Sequence, residues 1–485
     1  MPPSLLKRCL PVLRPVLRRI LQPILLPALL PVLLLVGCAA TNPLPAPDFT
    51  SYVVLGEDGA AVARVLIDAP ACPAIVVNQM SQPMTLRAPA ETIALRPTPF
   101  APADSKPAAF PLLTCEASLP ASAASASVLG RPLPLPKAAP QRIVVIGDTG
   151  CRLQKSSNSW QACNDSGQYP FAAVAAQAAA WKPDLVIHVG DYHYRENACP
   201  EGNAGCAGSP WGYGWDAWDD DFFAPGARLL DAAPWVMARG NHENCQRGGQ
   251  GYWRFLDPRP LRQGRDCNAA ADDDTGNYSD PYAIPIGQDT QLLVLDTANT
   301  SWKGLRPGDT GYDRYRDLYR KLDALSQRAP NNIGINHHPL LGMGADRKPD
   351  GSIVLLPGDA GLQASFGSLN PLLFPPAIQV MLSGHIHLWQ QLSFSSAHPS
   401  QFVSGFAGTS EDIVPLPQQL PASQPPAAGA VVEHFSAWVD GFGFMTMERR
   451  GPQQWEVLVH DLQGKIRNRC QLDGRHSQCE VAQVK

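Results

Sequence analysis

Basic charge is in short supply. The 485 residues set 39 Lys and Arg against 43 Asp and Glu, a formal net charge of −4 at pH 7. Five of those bases, Lys7, Arg8, Arg14, Arg18 and Arg19, fall within residues 1–37, which contain no acid, so the remainder is more acidic than the whole. This balance gives no support to binding of nucleic acid by broad electrostatics, and no nucleic-acid partner is expected. Also missing is any CxxC pair among the 12 cysteines, which argues against a zinc-binding cysteine cluster. No internal repeat is found. Apolar residues, at 45%, are not scarce, so a fully disordered chain is excluded and the length suits two to four structural units. Proline is in excess: 49 copies, crowded into the first 140 residues, argue against long helices there.

What is present begins with an address. After the basic start, Ile20 to Gly37 is apolar apart from Gln22, and it closes on Leu35-Val36-Gly37-Cys38. Basic region, apolar region and small-residue site follow in the order of a signal peptide. The ending resembles a bacterial lipobox, and that resemblance implies cleavage before Cys38 and membrane attachment through lipid on its sulfur. A transmembrane helix is the competing reading, but Pro23, Pro27 and Pro31 would interrupt it. Residues 1–37 are thus expected to be a signal peptide, 38–47 a tether, and the protein a lipid-anchored or secreted component of the bacterial cell envelope, on the outer membrane or its periplasmic face. Setting aside Cys9 and Cys38 leaves ten cysteines in sequence-local couples: Cys72 with Cys115, Cys151 with Cys163, Cys199 with Cys206, Cys245 with Cys267, and Cys470 with Cys479. An even, local set predicts disulfides in an oxidising compartment.

Short β-like runs punctuated by Gly and Pro predict a small β domain over 48–117, and the Ala/Ser/Pro-rich stretch 118–140 reads as linker. From residue 141 to the C-terminus the pattern is that of a catalytic domain with a β extension. Arg142 to Ile146 and Leu185 to Val189 are buried-type strands separated by the Ala-rich helix Phe171 to Trp181, which means a parallel βαβ unit. Further strands are expected before Gly240, Asp296, His337 and Gly384. Ligands of α/β sheets gather beyond the carboxyl ends of strands.

Five motifs sit at those ends: Gly147-Asp148-Thr149-Gly150, Gly190-Asp191-Tyr192-His193-Tyr194, Gly240-Asn241-His242-Glu243, His337-His338-Pro339 and Gly384-His385-Ile386-His387. Each alone is weak. Together they supply carboxylates, a phenol, an amide and imidazoles, enough donors for two metal ions sharing one carboxylate. Carboxylates and amide oxygens suit hard ions, imidazoles suit Zn, Fe or Mn, and a phenolate favours ferric iron. Other groups have blander readings. His188 is expected to be a packed core residue, Trp211, Trp215 and Trp218 a packed helix, Asp219-Asp220-Asp221 a solvated turn, and Asp296 a helix cap.

The ordered set, spanning roughly Arg142 to Gln390, resembles the calcineurin-like metallophosphoesterases and, within them, the purple acid phosphatases. Gly150, two residues after Asp148, and Tyr194, three after Asp191, match that branch. The resemblance implies an α/β sandwich of two mixed sheets flanked by helices, preceded by a small β domain. It implies a ferric site of Asp148, Asp191, Tyr194 and His387, and a second site for Fe(II), Zn or Mn of Asp191, Asn241, His337 and His385, with Asp191 shared. His337 is preferred to His338 because the family ligand lies two residues before a proline. His242 matches a residue that contacts phosphate and assists the leaving group. One departure is the absence of a His some ten residues beyond His337; His193 or Arg347 is expected to supply the missing substrate contact. The expected function is metal-dependent hydrolysis of phosphate monoesters, on a phosphorylated small molecule or other phosphoester, outside the cytoplasm. The alternatives are a phosphodiesterase or nucleotidase on the same metals, and a non-catalytic surface-interaction lipoprotein with a vestigial phosphoesterase domain.

Overall fold

Period-two alternation in the strands decides the architecture. Arg142–Ile146 sends Ile143 and Val145 to one face and Val144 and Ile146 to the other, and all four are buried. A strand apolar on both faces needs cover on both. The computed structural model describes residues 48–97 and 101–482. The signal region, Cys38 and the tether lie outside the described residues.

Two sheets stack face to face. In the first, Arg142–Ile146, Leu185–His188 and Trp235–Met237 run parallel. On the outer side of Arg142–Ile146, the antiparallel strands Gly443–Arg449, Gln454–Asp461, Ile466–Asp473 and His476–Val481 follow in order. In the second, Thr290–Val294, Asn331–Ile335, Ile378–Ser383 and Ser400–Ser404 run parallel. Tyr282–Pro285 borders them on one edge, and Trp389–Phe394 with Val432–Trp438 on the other. Ile143, Val145, Ile187 and Val236 of the first sheet share one core with Leu292, Ile333, Ile335, Val380 and Leu382 of the second. The outer faces carry helices. Phe171–Ala180 and Ala224–Leu230 pack on the first sheet. On the second, Thr310–Ser326 presents Tyr315, Leu318, Tyr319 and Leu322 at helical spacing, and Ala360–Gly367 adds Leu362 and Phe366. This is the α/β sandwich of mixed sheets flanked by helices.

The N-terminal β region joins the first sheet instead of standing apart. Phe49–Leu55 pairs in parallel with Trp235–Met237 through Val54 and Trp235, and antiparallel with Ala61–Ile67, which leads on to Leu113–Leu119 and Thr85–Ala88. The physical reason lies in those strands: Tyr52, Val53 and Val54 are buried on both faces and need the cover that a free-standing sheet of this size lacks. Residues 118–140 are more than a linker, because Ala126–Val128 and Arg131–Pro132 pair with Ala74–Val77 and Met80–Pro83 in a small four-stranded sheet. All five local cysteine couples form disulfides.

Candidate metal centre

Each motif loop starts where a parallel strand ends, and the loops are stitched to one another. The N–H of Asp148 donates to Gly190 O and that of Thr149 to Asp191 O, both at 3.0 Å, while Gly384 N–H donates to His337 O at 3.0 Å. Asp148, Asp191 and His385 have φ of 56°, 58° and 73°, a left-handed conformation that side chains rarely adopt. Strain of this kind costs on the order of 1–3 kcal/mol per residue and persists where the surroundings hold it. Here the cross-links do the holding. Gly240 is forced by proximity: a Cβ there would lie 2.0 Å from Asp191 Oδ1.

These loops bring seven side chains together. Tyr194 Oη lies 2.8 Å from Asp148 Oδ1, 2.9 Å from Asp191 Oδ2 and 3.1 Å from His387 Nε2. Asn241 Oδ1 lies 3.1 Å from His337 Nε2 and 3.0 Å from His385 Nδ1. Asp191 Oδ2 joins the two groups, being 3.0 Å from His337 Nε2 as well. Asp148, Asp191 and His337 are fully buried and offer donor atoms within 4.8 Å of one another, as do His337, His338 and His385.

The donor chemistry fits cations. His337 Nδ1 lies 3.0 Å from Val189 O and must donate to it, so in the neutral ring Nε2 is an acceptor. That lone pair faces Asn241 Oδ1 and Asp191 Oδ2, which are acceptors too. Such a convergence is unfavourable unless a proton or a cation lies within it. Without a metal the proton serves: burial would lower the His337 pKa, but the Asp191 carboxylate outweighs it and pushes it up to about 9. Asp191 itself is held well below the carboxylate range, burial being outweighed by His337 and His242. Burial and the charges of Asp148 and Asp191 push the Tyr194 phenol well up, so a phenolate here needs a strongly charged neighbour. Burial and His337 bring His385 down to about 3.

Around this cluster lie groups that position it. The Glu243 carboxylate accepts from the backbone N–H of Asp191, Tyr192, His193 and Gly240. Asp221, expected in a solvated turn, is instead fully buried and accepts from the N–H of Cys151, Tyr194 and Arg195 and from Arg195 Nε. His242 sits with its ring 3.8 Å from that of Tyr194; its Nδ1 lies 2.9 Å from Glu196 Oε1 and its Nε2 3.9 Å from Asp191 Oδ2. Arg247 binds both Glu196 and the His242 ring. Arg152 places Nη2 3.1 Å from His387 Nε2, and its buried Nε has no hydrogen-bond partner among the described residues. Asp412 accepts from His387 N–H at 2.9 Å.

The two residues expected to replace the missing His lie elsewhere. His193 is fully buried, its Nε2 donating to Gly212 O at 2.8 Å and its ring packed on Tyr213 and Trp218, so it is turned away from the cluster. Arg347 is exposed on the hairpin formed by Met343–Arg347 and Ile353–Pro357, where its guanidinium donates to Gly351 O at 3.4 Å. His188 stacks on Tyr192 at 3.7 Å in the core, as expected. Trp215–Trp218 is helical and Trp218 is buried, though Trp211 lies outside that helix. Asp296 caps no helix; it forms a buried ion pair with Arg239 at 2.7 Å. Arg152, Arg247, Glu196, Asp221 and Asp412 were missed because they carry no motif. Glu243 and His338 stood within quoted motifs, and that adjacency was the one signal available.

Comparison with known proteins agrees with this geometry. The family model for the calcineurin-like phosphoesterases matches residues 141–388. No curated protein matches the sequence. Among solved structures, the chain is similar to purple acid phosphatase PPD1 from yellow lupin (Lupinus luteus) seeds, at 14% identity and a TM-score of 0.53, over 90% of this chain and 74% of that one. It is also similar to PhoD, at 12% identity and a TM-score of 0.51, over 90% of this chain and 92% of that one.

Proposed function

Since the chain belongs to the calcineurin-like phosphoesterase family, we propose that it hydrolyses phosphate monoesters outside the cytoplasm with two metal ions held by its strand-end loops. Asp148, Tyr194 and His387 would hold one ion and Asn241, His337 and His385 the other, with Asp191 shared between them. The observation that carries this reading is the position of Asp191 Oδ2, 2.9 Å from Tyr194 Oη and 3.0 Å from His337 Nε2. A phenol in the first group favours ferric iron there, and the imidazoles favour Fe(II), Zn or Mn in the second. When bound, such a pair neutralises phosphoryl charge and lowers the pKa of water towards ~7.

The protein's own groups supply the rest. Glu196 and Arg247 fix the His242 ring with Nε2 on the Asp191 side and 2.8 Å from Arg247 Nη2; burial and the Arg247 charge bring its pKa down to about 4, so it can hold a proton for the departing oxygen only in acid. Arg152, half-buried with its guanidinium Nη2 beside His387, is placed to bind a phosphoryl oxygen, the role expected of His193 or Arg347. Five disulfides support an oxidising compartment. Attachment through Cys38 rests on the sequence of residues 20–38.

The test is turnover of p-nitrophenyl phosphate against bis-p-nitrophenyl phosphate by the metal-loaded protein, with Arg152→Ala beside it. Faster turnover of the monoester and a roughly tenfold or greater rise in KM for Arg152→Ala, the scale of one lost charge-assisted hydrogen bond, are expected. Preference for the diester would favour the phosphodiesterase alternative, and no turnover of any phosphoester would leave a vestigial domain.

A further inference from the structure

Next to the candidate centre opens a cavity of about 440 Å³ that has His385 in its lining. Its volume suits a small organic group. Pro339, Leu356, Pro357 and Ile386 form apolar walls, and Trp302 stands at the rim with its side chain 76% exposed. Leu356 is 45% exposed, and its strand also leaves Ile353 and Val354 in water, while Ile413 is exposed beside the lining residue Asp412. Trp302 and Leu356, two large apolar side chains left in solvent on one lining, mark a binding surface.

The charges on the lining are of one sign. Asp346, Asp359 and Asp412 contribute carboxylates, and no Lys or Arg lines the cavity among the described residues. Each carboxylate already has a partner. Asp346 pairs with Lys348 at 3.0 Å, Asp359 accepts from Leu362 N–H and Thr300 Oγ1, and Asp412 accepts from His387 N–H. The lining therefore offers an incoming group apolar surface and no counter-charge for an anion. A leaving group carrying further phosphates would meet Asp346, Asp359 and Asp412 as the charged side chains of the lining.

Resting on the phosphoesterase reading, we infer that this cavity receives the leaving group of the substrate, and that the leaving group is an apolar alcohol, aryl or long-chain alkyl, rather than a sugar phosphate or nucleotide. Trp302 and Leu356 select it, and the metal-holding loops see the phosphoryl group alone.

The n-alkyl phosphates from ethyl to hexyl test this, because their leaving groups have nearly equal acidity and differ in apolar surface. Full burial is worth ~4-fold per methylene, so a wall open on one side should raise kcat/KM about tenfold across the series. Trp302→Ala, at an exposed site where folding is not at risk, should abolish most of that rise while leaving the Kd for inorganic phosphate unchanged. Calorimetric titration with ethyl- and hexylphosphonate, which cannot be hydrolysed, should show the same preference. A flat series with turnover intact, or a gradient unchanged in Trp302→Ala, would overturn the inference and leave the phosphoesterase reading standing. If every ester were inert the phosphoesterase reading would fall, and the phosphonate ratio would still decide whether the cavity takes apolar groups.

Discussion

Glu243 accepts from four backbone N–H groups, those of Asp191, Tyr192, His193 and Gly240, at 2.9–3.1 Å. It thereby fixes the left-handed turn that aims Asp191 into the cluster. A Glu243→Gln change keeps the shape but turns an NH₂ group towards those donors. Leaving the two donors that face the new NH₂ unmatched costs about 1–3 kcal/mol each, so the variant should lose roughly 2–6 kcal/mol of stability and bind less metal. Denaturant unfolding and metal analysis check this, and a variant with unchanged stability and full metal content would refute the positioning role. At this scale the sequence was informative where a donor stands beside a Gly at a strand end, as Asp148, Asp191 and His385 do. It was silent about Arg152, whose partner His387 lies 235 residues away, and about Asp221, which reaches Tyr194 across 27 residues. Nothing in the local run Asp219-Asp220-Asp221 separates a buried carboxylate from a solvated one; the tertiary path of the chain does.

Between elements, the N-terminal strands are fastened by two buried guanidinium groups. Arg64 donates to Phe255 O and Asp257 O, and Arg87 to the carbonyls of Trp253, Arg254, Asp257 and Arg259; both also pair with Glu116 at 2.9 Å. This places Phe49–Leu55 against Trp235–Met237, the strand that leads to Asn241. Arg87→Met would take this partner from the carbonyls of Trp253, Arg254 and Arg259, leaving Asp257 O to Arg64, and should cost about 3–5 kcal/mol, the scale of a broken buried pair. Unfolding by urea measures the loss, and faster proteolytic removal of residues 48–119 should accompany it. Equal stability of variant and parent would show that the docking rests on apolar contact alone. The strands of the sandwich were legible in the sequence, because runs such as Arg142–Ile146 and Ile378–Ser383 are apolar on both faces and end in Gly-containing loops. Their partners were less so. Pairing of Val54 with Trp235 spans about 180 residues, and no local pattern records it.

Across the whole molecule the two sheets serve one purpose, to carry loops from distant parts of the sequence to a common edge of the sandwich. Asp148 and Asp191 arrive from the first sheet and His337, His385 and His387 from the second, so the cluster forms only once the sheets stack. Parallel order within each sheet is what puts the loops on one side, and left-handed φ at Asp148, Asp191 and His385 turns their side chains inwards. The net acidity noted in the sequence is compatible with this design, since two of the carboxylates, Asp148 and Asp191, are buried in the candidate metal centre. The central claim, that one carboxylate is common to two ions, has a direct measurement: metal content per chain of the parent protein and of Asp191→Asn after loading and gel filtration. Two equivalents in the parent and fewer than one in the variant, with turnover lost, are predicted. Two equivalents and full turnover in Asp191→Asn would contradict the account.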